Sequence, residues 1–237
     1  MKTYELPDHL SSSTTPLRLD ELQVESARYT VLRRITSCLR HHLVRPLQPI
    51  TLICGVMHHQ LCAANPDVQA VKTQADKIND FAKSALAECI GISSWMAPES
   101  GILTEMGAGV RECVGLLATT LHFRGFHLVN EVDELVQLVQ RDALRMVLIA
   151  ALLEATDTLT EPATVTLSAT CQEDKVTLLL QVNPREQGSV ESYDDGYRKL
   201  LWSDVQALAA SEGVSLSRQV NALAMGFAVE PAPPASA

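Results

Sequence analysis

Apolar residues at Leu32, Ile35, Leu39, Leu43, Pro46, Ile50, Ile53 and Met57 recur every three or four positions, the repeat of a helix packed along one stripe. With roughly 100° per residue and His41 set at zero, all eight fall on an arc between about 120° and 200°. His41 is therefore expected to face away from the core. Arg34, Arg45 and Gln48 share its side of the helix, cationic and polar groups suited to an anion such as a phosphoryl group. Pro46 inside this pattern costs about 3 kcal/mol through its missing N–H and its clash with the preceding turn, so a deliberate bend is expected just after the histidine.

The order of the remaining elements follows from breaks in periodicity. Residues 1–18 contain a Ser/Thr run ending in Pro16 and are expected to form a flexible leader. A first helix is expected over 20–63, with Asp20 as its cap, and a second from Pro66 to about Met96. The second carries Val68, Val71, Ala75, Ile78, Ala82, Ala85, Leu86, Cys89 and Ile92 on its apolar side. Two long helices joined by a short loop make an antiparallel hairpin, and one hairpin buries too little alone, so a homodimeric four-helix bundle is expected over 19–97.

After the break at Ala97 to Gly101, a helix is expected over 102–122, closed by Gly125, and then a strand from Phe126 to Asn130. A helix from Arg141 to Asp157, a hairpin of Ala163–Cys171 with Lys175–Val182, a loop at 183–196, a helix over 197–211 and strands Val214–Arg218 and Ala222–Val229 complete the pattern. The fold class is α+β, a helical hairpin followed by a two-layer α/β sandwich over 102–230. A Pro/Ala-rich tail, 231–237, is expected to be disordered.

Composition narrows the function. With 237 residues and 46% hydrophobic content the chain can bury a sizeable core, and its formal charge of −9 argues against general nucleic-acid binding. Six cysteines without C-x-x-C spacing read as reduced, mostly buried small hydrophobes, not metal ligands. Nothing resembles a signal peptide or an apolar run of about 20 residues, so the expectation is a cytoplasmic protein with no membrane contact.

The segment His41-His42-Leu43-Val44-Arg45-Pro46-Leu47 resembles the H-box of the histidine kinase dimerisation and phosphotransfer domain, with His41 at the phospho-acceptor position and Pro46 and Leu47 matching. The second half is similar in element order to the ATP-binding domain of those kinases, with Arg145 to Ala155 resembling its N-box helix. The resemblance covers roughly residues 25–230.

The resemblance breaks where nucleotide chemistry would lie. Ala150 and Glu154 stand where the family has two asparagines, the second of which holds the Mg²⁺ bridging the phosphates. The adenine-reading D-x-G-x-G falls at Asn183 to Gln187, without either glycine, and only Gly188 and Gly196 represent the second glycine-rich motif. At the H-box, His42 replaces the acidic residue and Arg45 the polar Thr or Asn. The resemblance therefore implies a degenerate ATPase domain and a histidine phosphotransferase of the bundle type. It would shuttle a phosphoryl group between receiver-domain aspartates through His41, with Arg34, His42, Arg45 and Gln48 contacting the group or the receiver. It needs no cofactor of its own, Mg²⁺ coming with the partner receiver. The partners implied are response regulator receivers, including one carried by a hybrid histidine kinase. A non-catalytic adaptor that sequesters a regulator or kinase, and a divergent active kinase using Glu154, are the alternatives.

Overall fold

The computed structural model describes residues 18–97, 101–132, 134–185 and 196–231. The expected leader, apart from Arg18, the expected tail beyond Pro231 and most of the expected glycine-rich region lie outside the described residues.

Helix α1 spans Leu19–Leu61 and α2 spans Val68–Met96. Asp20 lies within the first turn instead of capping it, and the carboxylate of Glu21 accepts the backbone N–H of Arg18 at 3.1 Å. Asp67, not Pro66, opens α2, accepting from the Ala70 N–H at 3.0 Å. α1 continues through both Pro46 and Pro49. Having no N–H, these prolines deprive the carbonyls of His42 and Arg45 of their usual helical donors.

The rest of the chain forms β1 (Leu103–Glu105), α3 (Met106–Phe123), β2 (Phe126–Asn130), β3 (Leu138–Gln140), α4 (Arg141–Thr158), β4 (Ala163–Gln172), β5 (Lys175–Pro184), α5 (Trp202–Ser211), β6 (Ser215–Gln219) and β7 (Ala222–Ala228). Five strands pair in the order β2-β4-β5-β7-β6, parallel between β2 and β4 and antiparallel elsewhere. β4 and β5 alternate strictly, burying Ala163, Val165 and Leu167 from one and Val176, Leu178 and Leu180 from the other. That face packs with α3, α4 and α5 into one core. The fold is α+β, a helical hairpin and a two-layer sandwich, as expected.

Three expectations change. The helix expected from residue 102 begins at Met106, because Leu103–Glu105 pairs with Leu138–Gln140 as a separate two-stranded sheet. The helix expected over 197–211 begins only at Trp202. Most consequentially, α1 carries a second buried face. The expected stripe is buried or half-buried, but Ala27, Thr30, Val31 and Cys38 are buried too, on a side turned toward the sandwich. The C-terminal domain lies along the first half of α1.

Arginines fasten this seam. Arg28 donates to Glu212 at 2.6 Å, Arg198 to the Thr30 hydroxyl at 3.3 Å, and Arg145 to the Ser94 hydroxyl at 3.1 Å while stacking over Trp95 at 4.6 Å. Arg33 lies 4.6 Å from the ring centre of Tyr197. Arg34 reaches Asp157, donating through Nη2 to Oδ1 at 2.9 Å and through Nη1 to Oδ2. The second half of the hairpin is not covered in this way: Leu52, Leu61, Val68, Leu86 and Ile90 are exposed, although Val68 and Leu86 belong to the apolar side expected from sequence.

Candidate functional site

His41 is exposed, as its position on the helix dictates. It stands where the seam ends. Two turns earlier, Arg34 points the same way along α1 but is covered by the sandwich, with only 7% of its side chain exposed. One and two turns later, Arg45 and Gln48 are open to solvent. Arg34 was expected to line the phosphoryl path and is instead a structural cation: helical periodicity gave its direction, and the sandwich then closed over it.

Asp157 receives a second arginine. Arg124, the residue after α3, donates through Nη2 to Asp157 Oδ1 at 3.0 Å and to the Thr156 carbonyl at 3.2 Å, and lies 5.4 Å from the Phe126 ring centre. Gly125, at φ +93°, supplies the left-handed turn that the sequence implied and brings the chain from α3 into β2. Two buried guanidinium groups thus share one carboxylate. Arg124 Nε is buried with no hydrogen-bond partner.

Beside His41 is a cavity of about 300 Å³ between α1 and the end of α3. Ser37, Cys38, His41 and His42 form one wall. Leu116, Thr119, Thr120, Phe123 and Arg124 form the other. The walls are joined by a 3.2 Å contact between Cys38 Sγ and Thr120 Oγ1. Phe123 is 73% exposed at the rim.

His42, half-buried, has its ring edge-on to His41 with centroids 6.4 Å apart. Its Nδ1 lies 3.8 Å from the Glu88 carboxylate of α2, which is also 4.0 Å from Arg45. Glu88 brings a carboxylate from the neighbouring helix to His42 and Arg45. Sequence reasoning missed Glu88, Arg124, Asp157 and Phe123; of these only Arg124, a cation at the end of an apolar helix, carried a local signal.

The expected nucleotide position is closed differently. Ala150 is fully buried and offers no ligand atom. Glu154, 5% exposed in its side chain, accepts from Arg218 Nη1 at 3.0 Å, and Arg218 lies over the Trp202 ring at 4.6 Å. The adjoining cavity, between α4 and the strands, measures about 80 Å³, well below the ~300–1,000 Å³ of typical small-ligand sites. Asn183 is exposed near the end of β5, paired in register with Thr164. These residues do not fit a Mg²⁺-nucleotide.

Burial pushes the Cys113 thiol far above its ordinary range, with Glu112 adding to the rise, so it is inert packing. The other buried cysteine is Cys38; Cys54, Cys62, Cys89 and Cys171 are exposed, against the expectation of burial. Among the described residues, no group of three or more His, Cys, Asp or Glu is placed to hold a metal, and no helix is long and apolar enough to cross a membrane.

No protein-family model matches the chain, and no curated protein does. Among solved structures, the chain is similar to the Acinetobacter baumannii histidine kinase AdeS, at 14% identity over 76% of this chain and 94% of that one, with a TM-score of 0.39. It is similar to a bacterial phosphotransferase at 13% identity over 90% of this chain and 98% of that one, TM-score 0.33. A third is the histidine kinase ThkA in complex with the response regulator protein TrrA, at 15% identity over 89% of this chain and 66% of that one, TM-score 0.39. The likeness is one of general arrangement; the chemistry has to be read from this chain's own residues.

Proposed function

We propose that this chain is a dimeric histidine phosphotransferase of a two-component phosphorelay, carrying a phosphoryl group between receiver-domain aspartates on His41 without using ATP. One contrast carries the reading: His41 stands open at the edge of the seam, while Glu154, at the position a nucleotide metal would need, is tied to Arg218.

In the forward step the Nε2 lone pair of His41 forms a P–N bond as the P–O bond of a receiver's aspartyl phosphate breaks, its electron pair leaving with the aspartate carboxylate. The Nδ1 proton stays on the ring until water takes it. The return step reverses these events on a second receiver. Such a transfer has a loose transition state, so it depends mainly on positioning and charge. The receiver brings its own aspartate and Mg²⁺. This chain supplies the imidazole, with Arg45 and Gln48 on the open side to hold the anion and Glu88 holding the neighbouring His42 in place. A regulator of a hybrid kinase fits the donor role as well as a free one.

The exposed apolar residues on the uncovered half of the hairpin, Val68 at 74% among them, support a second copy completing a four-helix bundle. Sedimentation equilibrium tests that part directly.

For the chemistry, the full chain is mixed with γ-labelled ATP and Mg²⁺, and separately with a panel of phosphorylated receivers. Acid-labile, base-stable label from receivers alone, absent in His41→Ala, is the expected outcome. Label from ATP would make the chain a kinase. Receiver binding without any label would make it a sequestering adaptor.

A further inference from the structure

We infer that the groove between His41 and the end of α3 is a socket for an apolar side chain of the receiver, with Phe123 as its anchor, so that the sandwich domain reads the partner at the point of transfer. The inference rests on the phosphotransferase reading and adds a docking element from the other domain.

Three observations converge on it. The cavity shares its α1 wall with the reacting residue: His41 and His42 line it directly. Any protein that delivers a phosphoryl group in line must bring its phosphorus within about 3–3.5 Å of the attacking nitrogen, and a folded domain placed there also covers the adjoining groove. The rim residue is an exposed phenylalanine, the type of side chain that interfaces use as an anchor. The cavity's lining is mostly apolar, with Cys38, Leu116 and Phe123 among it, although His41, His42 and Arg124 also border it, and such a lining suits an apolar side chain.

The socket is also preset. Cys38 meets Thr120 at 3.2 Å, and Arg34 and Arg124 meet on Asp157, so both walls are fixed before a partner arrives. A rigid site avoids the ordering cost of assembling itself on binding. Phe123 and Thr119 are both exposed, and neither forms part of these fastenings, so both can be changed without disturbing them.

The experiment uses the full-length chain, the receiver from the panel that transfers fastest to wild type, and phosphoramidate as a small donor that needs no docking. Imidazole attack on phosphoramidate releases ammonia and gives the same phosphohistidine. Phe123→Ala is expected to raise the KM for the receiver about tenfold, equivalent to ~1.4 kcal/mol, with the rate at saturation unchanged. Thr119→Arg, which fills the groove, is expected to do the same. Labelling of His41 by phosphoramidate and the melting temperature should stay at wild-type values in both variants. Wild-type transfer kinetics in both variants would overturn the socket while leaving the phosphotransferase reading intact. Equal loss of labelling by phosphoramidate and by receiver would show that the residues act on His41 itself, and would also overturn it. A change in oligomeric state in Phe123→Ala would assign the groove to a second copy of this chain. A wild type labelled by phosphoramidate but by no receiver would overturn both readings.

Discussion

Arg34 and Asp157, 123 positions apart in sequence, meet in a two-pronged ion pair that closes the sandwich domain over the helix two turns before His41. The pair marks the edge of the cover on this side of α1: Ala27, Thr30 and Arg34 lie under the sandwich or are half-buried by it, whereas His41, two turns on, is open. Because Arg124 also donates to Asp157, one carboxylate is shared by two buried cations.

Asp157→Asn would remove the carboxylate that those two guanidinium groups share. Removing one partner of a buried pair typically costs ~3–5 kcal/mol, and for a chain of this size each kcal/mol lowers Tm by about 2–4 °C. A melt within about 2 °C of wild type would show that the pair contributes little. Arg34→Met, which removes one cation and keeps the volume, is expected to be much milder.

On α4, Arg218→Ala strands the buried Glu154. Since Arg218 is 42% exposed, solvent screens part of the pair, and a loss of about 1–2 kcal/mol is expected. The double variant Arg218→Ala with Glu154→Gln should recover part of that loss, because no unpaired charge remains. Titration calorimetry should find no Mg²⁺-ATP binding in either. Micromolar binding in the single variant would mean that Arg218 alone had been closing a competent site.

Asp142, in the first turn of α4, has its carboxyl pushed above the ordinary 3.8 by burial, against the opposing pull of Arg141, Arg145 and Arg28. The folded chain therefore holds this proton more tightly than the unfolded chain does. As pH rises from 3.8 the unfolded state releases it first, so Asp142 makes a growing unfavourable contribution that levels off above the folded-state value. Asp142→Asn should gain on wild type over that window and not below it. Parallel denaturation curves with a constant difference from pH 3 to 7 would contradict this.

Gly109 lets α3 approach α4. A Cβ there would lie 2.5 Å from Leu144 Cδ2 and 3.0 Å from Thr104 Cγ2, and Leu144 is fully buried. Gly109→Ala gains about 1 kcal/mol of helix propensity and incurs about 1–3 kcal/mol of overpacking. A net loss of stability is expected from chemical denaturation, and a net gain would mean that the two helices separate easily.

His41→Gln keeps the size and polarity of the side chain but removes the nucleophile. It should abolish phosphoryl labelling while leaving receiver affinity within about twofold, since a single exposed polar side chain contributes little to docking. A large loss of affinity would make His41 a contact residue before anything else.

The stripe from Leu32 to Met57 made α1 legible, because burial against a neighbouring helix leaves a periodic trace. The second buried face did not show, because Arg34 and Thr30 are polar and their cover comes from residues more than a hundred positions away. The hairpin of β4 and β5 was readable from strict alternation around Glu173 and Asp174. β1 and β3 were not, since three residues are too few to display a period and Ile102 to Glu105 suits a helical start equally well. His41 was found through its local pattern, whereas Glu88 and Phe123 join it only through packing between helices.

The arginine seam has a further consequence for control. Swinging the sandwich away from the hairpin would break the pairs of Arg28, Arg34 and Arg198 with or across α1, unstack Arg33 from Tyr197 and unstack Arg145 from Trp95 of α2. On the phosphotransferase reading, a carrier held this way would present the same face to every visitor, whether loaded or empty. Direction of flow would then come from the abundance and phosphorylation of the visitors themselves, with the chain acting as a wire rather than a valve.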